Sequence, residues 1–181
     1  LAVLFLNLDN FSRINESLGR SAGDLLLKEV GKRLIGCLRS SDLLAHYVNS
    51  NEGMNISRFG GDEFAFVLSQ LDSIDAAGMV AQRVTDILVE PIIIEGHELV
   101  ISSSIGIAIA PRNGMNGEEL LRCASAAMQQ AKSTSNSNFL FYKEYMASTN
   151  QDELKIESEL RKAIDRNELS LHYQPQVDTN D

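Results

Sequence analysis

The chain has 181 residues, 44% of them hydrophobic, enough to bury a domain-sized core, and nothing in the composition points to disorder. Its formal net charge of -9 argues against nonspecific nucleic-acid binding and against anchoring on anionic lipid. A nucleotide ligand stays open, because a metal ion can bridge acidic side chains to phosphates.

No run approaches the ~20 apolar residues of a membrane span. The opening apolar run, residues 1–8, lacks the basic segment of a signal peptide and has no initial Met, as expected of an excised fragment. The two cysteines and three histidines make no zinc spacing, and Cys37 and Cys123 read as buried thiols within helix-like patterns.

In chain order, residues 2–8 predict a buried strand and residues 11–17 one or two helical turns. Gly19 and the stretch Ser21-Ala22-Gly23 predict a break. Leu25, Leu26, Val30, Leu34 and Leu38 keep helical spacing, giving an amphipathic helix over about 24–38. Residues 49–55 are loop-like; residues 56–59 and 63–68 are strand-like, with Gly60-Gly61 between them as a hairpin signal. Residues 74–89 are helical. Residues 92–94 and 98–110 predict a strand pair with Glu95-Gly96-His97 as its turn, residues 117–132 a helix, and residues 139–142 a short strand. Hairpins mixed with helices imply an α+β layer fold, a mostly antiparallel central sheet flanked by helices. Beyond Tyr142 the character changes. A charged helix is expected over 151–166, with apolar positions at Leu154, Leu160 and Ile164, then a strand-like run from Leu169 to Gln174.

The most informative segment is Arg58-Phe59-Gly60-Gly61-Asp62-Glu63-Phe64. Adjacent glycines permit a tight turn and close approach of a ligand to the backbone. Asp62 and Glu63 follow where the strand starts, and successive strand side chains point to opposite faces, so the two carboxylates have different tasks. An arbitrary Gly-Gly-acid-acid is an ordinary hairpin with two solvated acids. The five-residue string Gly60 to Phe64 is rarer, arising by chance in roughly one of ten thousand chains this long.

Gly60 to Phe64 resembles the signature of the GGDEF family of diguanylate cyclases. Leu8-Asp9-Asn10-Phe11, Asn15, Gly19 and Gly23-Asp24 resemble that family's first strand and following loop. Ser104-Ile105-Gly106-Ile107-Ala108 resembles its central strand, and Ala131-Lys132 the end of its last helix. The resemblance covers about residues 1–143 and implies a ferredoxin-like, nucleotidyl-cyclase type of fold. A second resemblance starts near Glu157: Leu160-Arg161-Lys162-Ala163-Ile164, Leu169 and His172-Tyr173-Gln174-Pro175-Gln176-Val177 look like the opening of an EAL phosphodiesterase domain. The implied organisation is a GGDEF domain at 1–143, a linker helix at 144–166 and a truncated EAL start at 167–181. That start lacks the EAL catalytic residues, so no phosphodiesterase activity is expected of this chain.

The resemblance implies a cytoplasmic, homodimeric enzyme in which two GTP molecules face each other and condense to cyclic di-GMP and pyrophosphate with Mg²⁺ or Mn²⁺. By position, Asp62 and Glu63 match the metal-binding and catalytic carboxylates, and Leu8 offers a backbone carbonyl to the metal. Asp9, Asn10, Phe11 and Ser12 match the backbone cradle for the terminal phosphates, beside Gly60, Gly61 and Lys132. Asn15 and Asp24 match the guanine readers; without the family pattern they read as a helix residue and a helix N-cap. Three positions depart: Asn7 stands where the family usually has a metal-binding Asp, Ser12 where it usually has Lys, and Asn136 where it usually has Arg. Arg39 and Asp42 fit the family's inhibitory Arg-x-x-Asp pattern for cyclic di-GMP, but the following stretch carries about a dozen extra residues; the other reading is a plain helix C-terminus. Three functions follow: a weakened cyclase, a degenerate GTP-binding module regulating an attached EAL domain in the parent protein, or a structural dimerisation domain. No nucleic-acid partner and no membrane contact are expected.

Overall fold

The computed structural model describes residues 1–37, 43–45, 61–69, 71, 73–134, 138–166 and 168–173. Its strands are β1 (Ala2–Leu8), β2 (Leu43–Ala45), β3 (Glu63–Leu68), β4 (Ile92–Ile94), β5 (His97–Leu99), β6 (Ser103–Ile109) and β7 (Phe139–Phe141). The helices are α1 (Phe11–Leu18), α2 (Arg20–Cys37), α3 (Ile74–Val89), α4 (Gly117–Ser133) and α5 (Tyr145–Asp165). Five strands form one sheet in the order β2-β3-β1-β6-β7, antiparallel except for β6 with β7. The fold is α+β: a mixed sheet with helices on both faces.

β1 is buried along its whole length because both faces are covered, which explains its nearly continuous apolar run. Its even residues Leu4, Leu6 and Leu8 join a core with Leu26, Val30 and Leu34 of α2 and Ala81, Val84 and Leu88 of α3. Its odd residues Val3 and Phe5 pack with Ala65, Ala108, Cys123, Ala124 and Met128, on the α4 side. The α4 helix lies unusually close to β6, where a Cβ on Gly106 would stand 1.9 Å from the Ala124 carbonyl oxygen and 2.3 Å from the Met128 nitrogen. Glycine at this strand position removes the side chain that would hold the helix away.

Two arginines tie α2 to α3. Arg33 donates to the carbonyls of Ile87, Glu90 and Pro91 at 3.0, 2.6 and 2.8 Å, capping the end of α3. Arg83 donates in return to the carbonyl of Cys37, the last residue of α2. The carbonyls at a helix end have no intrahelical donor, so a guanidinium fork satisfies several at once. Cys37 and Cys123 are both buried free thiols.

Several expectations change. The helix expected from residue 24 starts at Arg20, and Ser21, Ala22 and Gly23 lie inside it; only Gly19, with φ of 86°, breaks the chain. The run 98–110 is two strands rather than one. β5 turns back on β4 through the two residues Glu95 and Gly96, both at positive φ as a tight hairpin requires, and forms a separate two-stranded sheet. β2, which pairs with β3 at residues 43–45, was not expected; the strand expected at 56–59 lies outside the described residues. The helix expected at 151–166 begins earlier, at Tyr145. Residues 168–173 carry no strand, and Leu169, Leu171 and Tyr173 are exposed.

Candidate functional site

The site lies where β1 leaves the sheet. Asn7 pairs across to Glu63 on β3 and to Ser104 on β6, and side chains directly opposite in an antiparallel pair share a face. That face is the α4 face, so the row Val3, Phe5, Asn7 runs from core packing into the site. Asp62 occupies the turn before β3, and its carbonyl accepts from Leu8 N–H at 3.0 Å, stapling the start of β3 to the end of β1. Gly61, Asp62 and Glu63 are half-buried. Gly60 lies outside the described residues.

Lys132, in the last turn of α4, reaches back over this end of the sheet. Its Nζ donates to Asn7 Oδ1 at 2.8 Å. Lysine has no acceptor, so the amide oxygen of Asn7 must face it. Asn7 is only 6% exposed, and this bond satisfies its buried oxygen. Burial raises the Glu63 carboxyl above its ordinary range, the neighbouring Asp62 charge adds to the rise, and Lys132 opposes it.

The turn after β1 is anchored separately. Both oxygens of the Asp9 carboxylate accept serine hydroxyls, Ser102 at 2.7 Å and Ser104 at 2.9 Å, and Asp9 N–H donates to the Ser102 carbonyl at 3.0 Å. Asp9 therefore faces β6, and its oxygens are engaged there rather than offered as a replacement for the carboxylate absent at position 7. Sequence reasoning missed this clamp; the run Ser102-Ser103-Ser104 where β6 begins was the available signal. Asn10 follows at φ of 58° and leads into α1; its carbonyl accepts from Arg13 N–H at 3.0 Å, while the N–H groups of Phe11 and Ser12 have no intrahelical acceptor. Phe11 is buried and Ser12 exposed.

Asn15 lies in α1, and its amide approaches α2 at Gly23, the residue before Asp24. A Cβ on Gly23 would sit 1.9 Å from Asn15 Oδ1, so Gly23 is the residue that lets the Asn15 amide lie against α2 beside Asp24. Asp24 is exposed, and as the fifth residue of α2 it is not an N-cap. A cleft of about 450 Å³ between α1 and the β4–β5 hairpin borders Asp9 and Asn10, but its lining includes none of Asn7, Asp62, Glu63 or Lys132. Arg39, Asp42 and Asn136 lie outside the described residues.

The donor chemistry fits a divalent cation in part. Asp62 and Glu63 supply hard carboxylate oxygens, enough for an ion that takes its remaining ligands from phosphate and water. Among the described residues no three His, Cys, Asp or Glu side chains form a protein-only cage. The Asn7 oxygen is engaged by Lys132.

The chain is 41% identical over 97% of its length to the cyclic di-GMP phosphodiesterase NbdA of Pseudomonas aeruginosa, and 38% identical over 97% to the bifunctional diguanylate cyclase/cyclic di-GMP phosphodiesterase MucR of the same organism. It spans only 21% and 24% of those two proteins. Among solved structures, the GGDEF domain of TpbB (YfiN) from Pseudomonas aeruginosa matches with a TM-score of 0.73 and 33% identity, covering 83% of this chain and 81% of that one. An EAL/GGDEF domain protein from M. capsulatus matches with a TM-score of 0.68 and 37% identity, covering 78% and 84%. No described helix is long and apolar enough to cross a membrane. Residues 1–138 match the family model "Diguanylate cyclase, GGDEF domain", and the chain belongs to the GGDEF family.

Proposed function

We propose that this domain binds GTP at the end of β1 and, as a homodimer with one GTP per copy, condenses two GTP to cyclic di-GMP and pyrophosphate at a reduced rate. The carrying observation is the placement of Glu63 opposite Asn7, half-buried, with Asp62 stapled to Leu8 beside it. Burial keeps the Glu63 carboxyl unusually ready to take up a proton, as accepting one from an attacking 3′-hydroxyl requires. Lys132 offers a cation to a triphosphate, and the N–H groups of Phe11 and Ser12 at the start of α1 cradle its terminal phosphates. Asn15 and Asp24 receive the guanine edge. A divalent cation held by Asp62, Glu63 and the Leu8 carbonyl supplies charge neutralisation on the triphosphate. Ser12 and Asn7 weaken the site, one by lacking a cation for phosphate and the other by lacking an anion for metal; Asn136 is a second position lacking the family's usual cation.

A second reading is favoured by Lys132 on Asn7: a GTP-binding module without turnover that regulates an attached phosphodiesterase domain. The opening of an EAL domain at 167–181, the linker role of 144–166 and a cytoplasmic location of the domain belong to the same proposal. Isothermal titration with GTP, beside product chromatography in Mg²⁺ and in Mn²⁺, tests it. GTP binding with slow cyclic di-GMP formation, accelerated by Asn7→Asp, is the expected result. Binding without product in either metal establishes the second reading, and no GTP binding refutes both.

A further inference from the structure

Asn7 and Lys132 are 125 residues apart, yet their contact has an inflexible foundation. Lys132 projects from the last turn of α4, and α4 rests backbone-to-backbone on β6 at Gly106. Asn7 belongs to the fully buried β1, next to β6 in the sheet. Both residues are thus rooted in the rigid core, and the lysine's flexible stem sets where its ammonium goes. It goes to the oxygen of a buried side chain, at 2.8 Å, while its charge also acts on Glu63 across the strand pair.

Asp62 and Glu63 with Lys132 leave one net negative charge, and the amide of Asn7 adds none. A carboxylate at position 7 would double that excess and place it on a buried atom, where an unpaired charge is costly. With the amide, the ammonium satisfies the buried oxygen and partly neutralises the pair of acids. An ion seated on the same oxygen would face a positive charge at hydrogen-bond distance.

We propose that Lys132 is a built-in counter-cation of this site: its ammonium holds the position beside Asn7 that a divalent cation would otherwise take, and it leaves that position for the phosphates of a bound nucleotide. Metal and lysine are competitors in the empty site, so appreciable divalent-cation binding requires nucleotide to draw the lysine away. This rests on the nucleotide-binding reading above. It makes Lys132 a positioning residue with two opposed effects, suppressing metal binding alone and supporting nucleotide binding.

The test uses Mn²⁺ alone, without nucleotide, monitored by electron paramagnetic resonance of the free ion, and GTP titrated separately in EDTA. Wild type, Lys132→Met, Lys132→Arg and Asn7→Asp are compared, with circular dichroism confirming folding. Lys132→Met is expected to bind Mn²⁺ at least about tenfold more tightly than wild type and GTP about tenfold more weakly. Lys132→Arg, which keeps the charge, is expected to keep the weak Mn²⁺ binding of wild type. Mn²⁺ affinity unchanged or lowered in Lys132→Met, or raised equally in Lys132→Arg, with GTP still bound by wild type, overturns the role of the lysine and leaves the nucleotide reading standing. Failure of wild type and Asn7→Asp to bind GTP both in EDTA and in Mg²⁺ overturns both.

Discussion

Replacing Gly106 by alanine tests whether the α4–β6 contact positions the site. The added Cβ would meet the Ala124 carbonyl oxygen at 1.9 Å and the Met128 nitrogen at 2.3 Å, with the Ala127 carbonyl carbon at 2.9 Å. These are backbone atoms of a helix and cannot rotate aside. Restoring ordinary contact requires α4 to move out by about 1.5 Å, and that movement loosens its packing on Val3, Phe5 and Ala108. Overpacking of this kind costs about 1–3 kcal/mol, and a backbone collision belongs at the upper end. For a chain of this size that lowers Tm by roughly 6–12 °C. The same shift carries Lys132 away from Asn7, so GTP affinity should fall in whatever fraction remains folded. Thermal unfolding by circular dichroism, with titration of GTP well below Tm, measures both effects. Gly106→Ala with wild-type Tm and wild-type GTP affinity would refute the claim that this close approach fixes the helix and its terminal lysine.

Glu63→Gln should abolish any cyclase turnover, a loss of about 10²–10⁴-fold if the carboxylate is the proton acceptor. It should also change the pH dependence of stability in EDTA. Because the folded-state pKa of Glu63 is raised, its stabilising effect is present below the ordinary glutamate value of about 4.3 and is lost as pH rises through the higher folded value. The variant lacks this loss, so in urea unfolding its stability relative to wild type should improve from acid toward neutral pH; a relative improvement toward acid would contradict the assignment. Gly23→Ala separates guanine reading from folding: alanine is favoured in a helix by about 1 kcal/mol, and the atom it strikes, Asn15 Oδ1, is the tip of a side chain. The Tm should change little while GTP affinity falls roughly threefold to tenfold; unchanged affinity by calorimetry would remove Asn15 from the guanine site.

The parts legible in the sequence are those set by local pattern. Residues 74–89 have helical periodicity and an N-capping Ser73, and α3 runs over that range. Gly61, Asp62 and Glu63 stand at the start of β3 because glycine breaks the chain just ahead of the short apolar run Phe64 to Leu68, which is long enough only for a strand. The parts that were not legible depend on contacts far away in the chain. Residues 98–110 look continuous because Val100 and Ile101 are apolar, but the chain leaves β5 and is caught by Asp9, 93 residues from Ser102. Gly23 looks like a helix breaker, yet it sits inside α2 because the space beside it belongs to Asn15. β2 is three residues long, too short to show alternation, and only its pairing with β3 identifies it.

The position of the site follows from how the two-layer core ends. Along β1 the odd residues face α4, and Val3 and Phe5 are covered by its apolar side. Two residues further on the helix reaches its last turn, where the exposed carbonyls and the negative end of the helix dipole favour a cation, and Lys132 is there. The odd row of the strand therefore passes from apolar packing to a polar residue at the point where the helix presents a positive charge. Whatever occupies position 7 is buried and must be matched: a carboxylate demands a cation of its own, whereas an amide needs one donor, which Lys132 provides. The amide at position 7 is thus matched from within the chain, by the last turn of α4. If Lys132 is the counter-cation proposed above, a carboxylate at position 7 would leave the pocket one cation short, and Asn7→Asp should therefore bind Mn²⁺ more tightly than wild type.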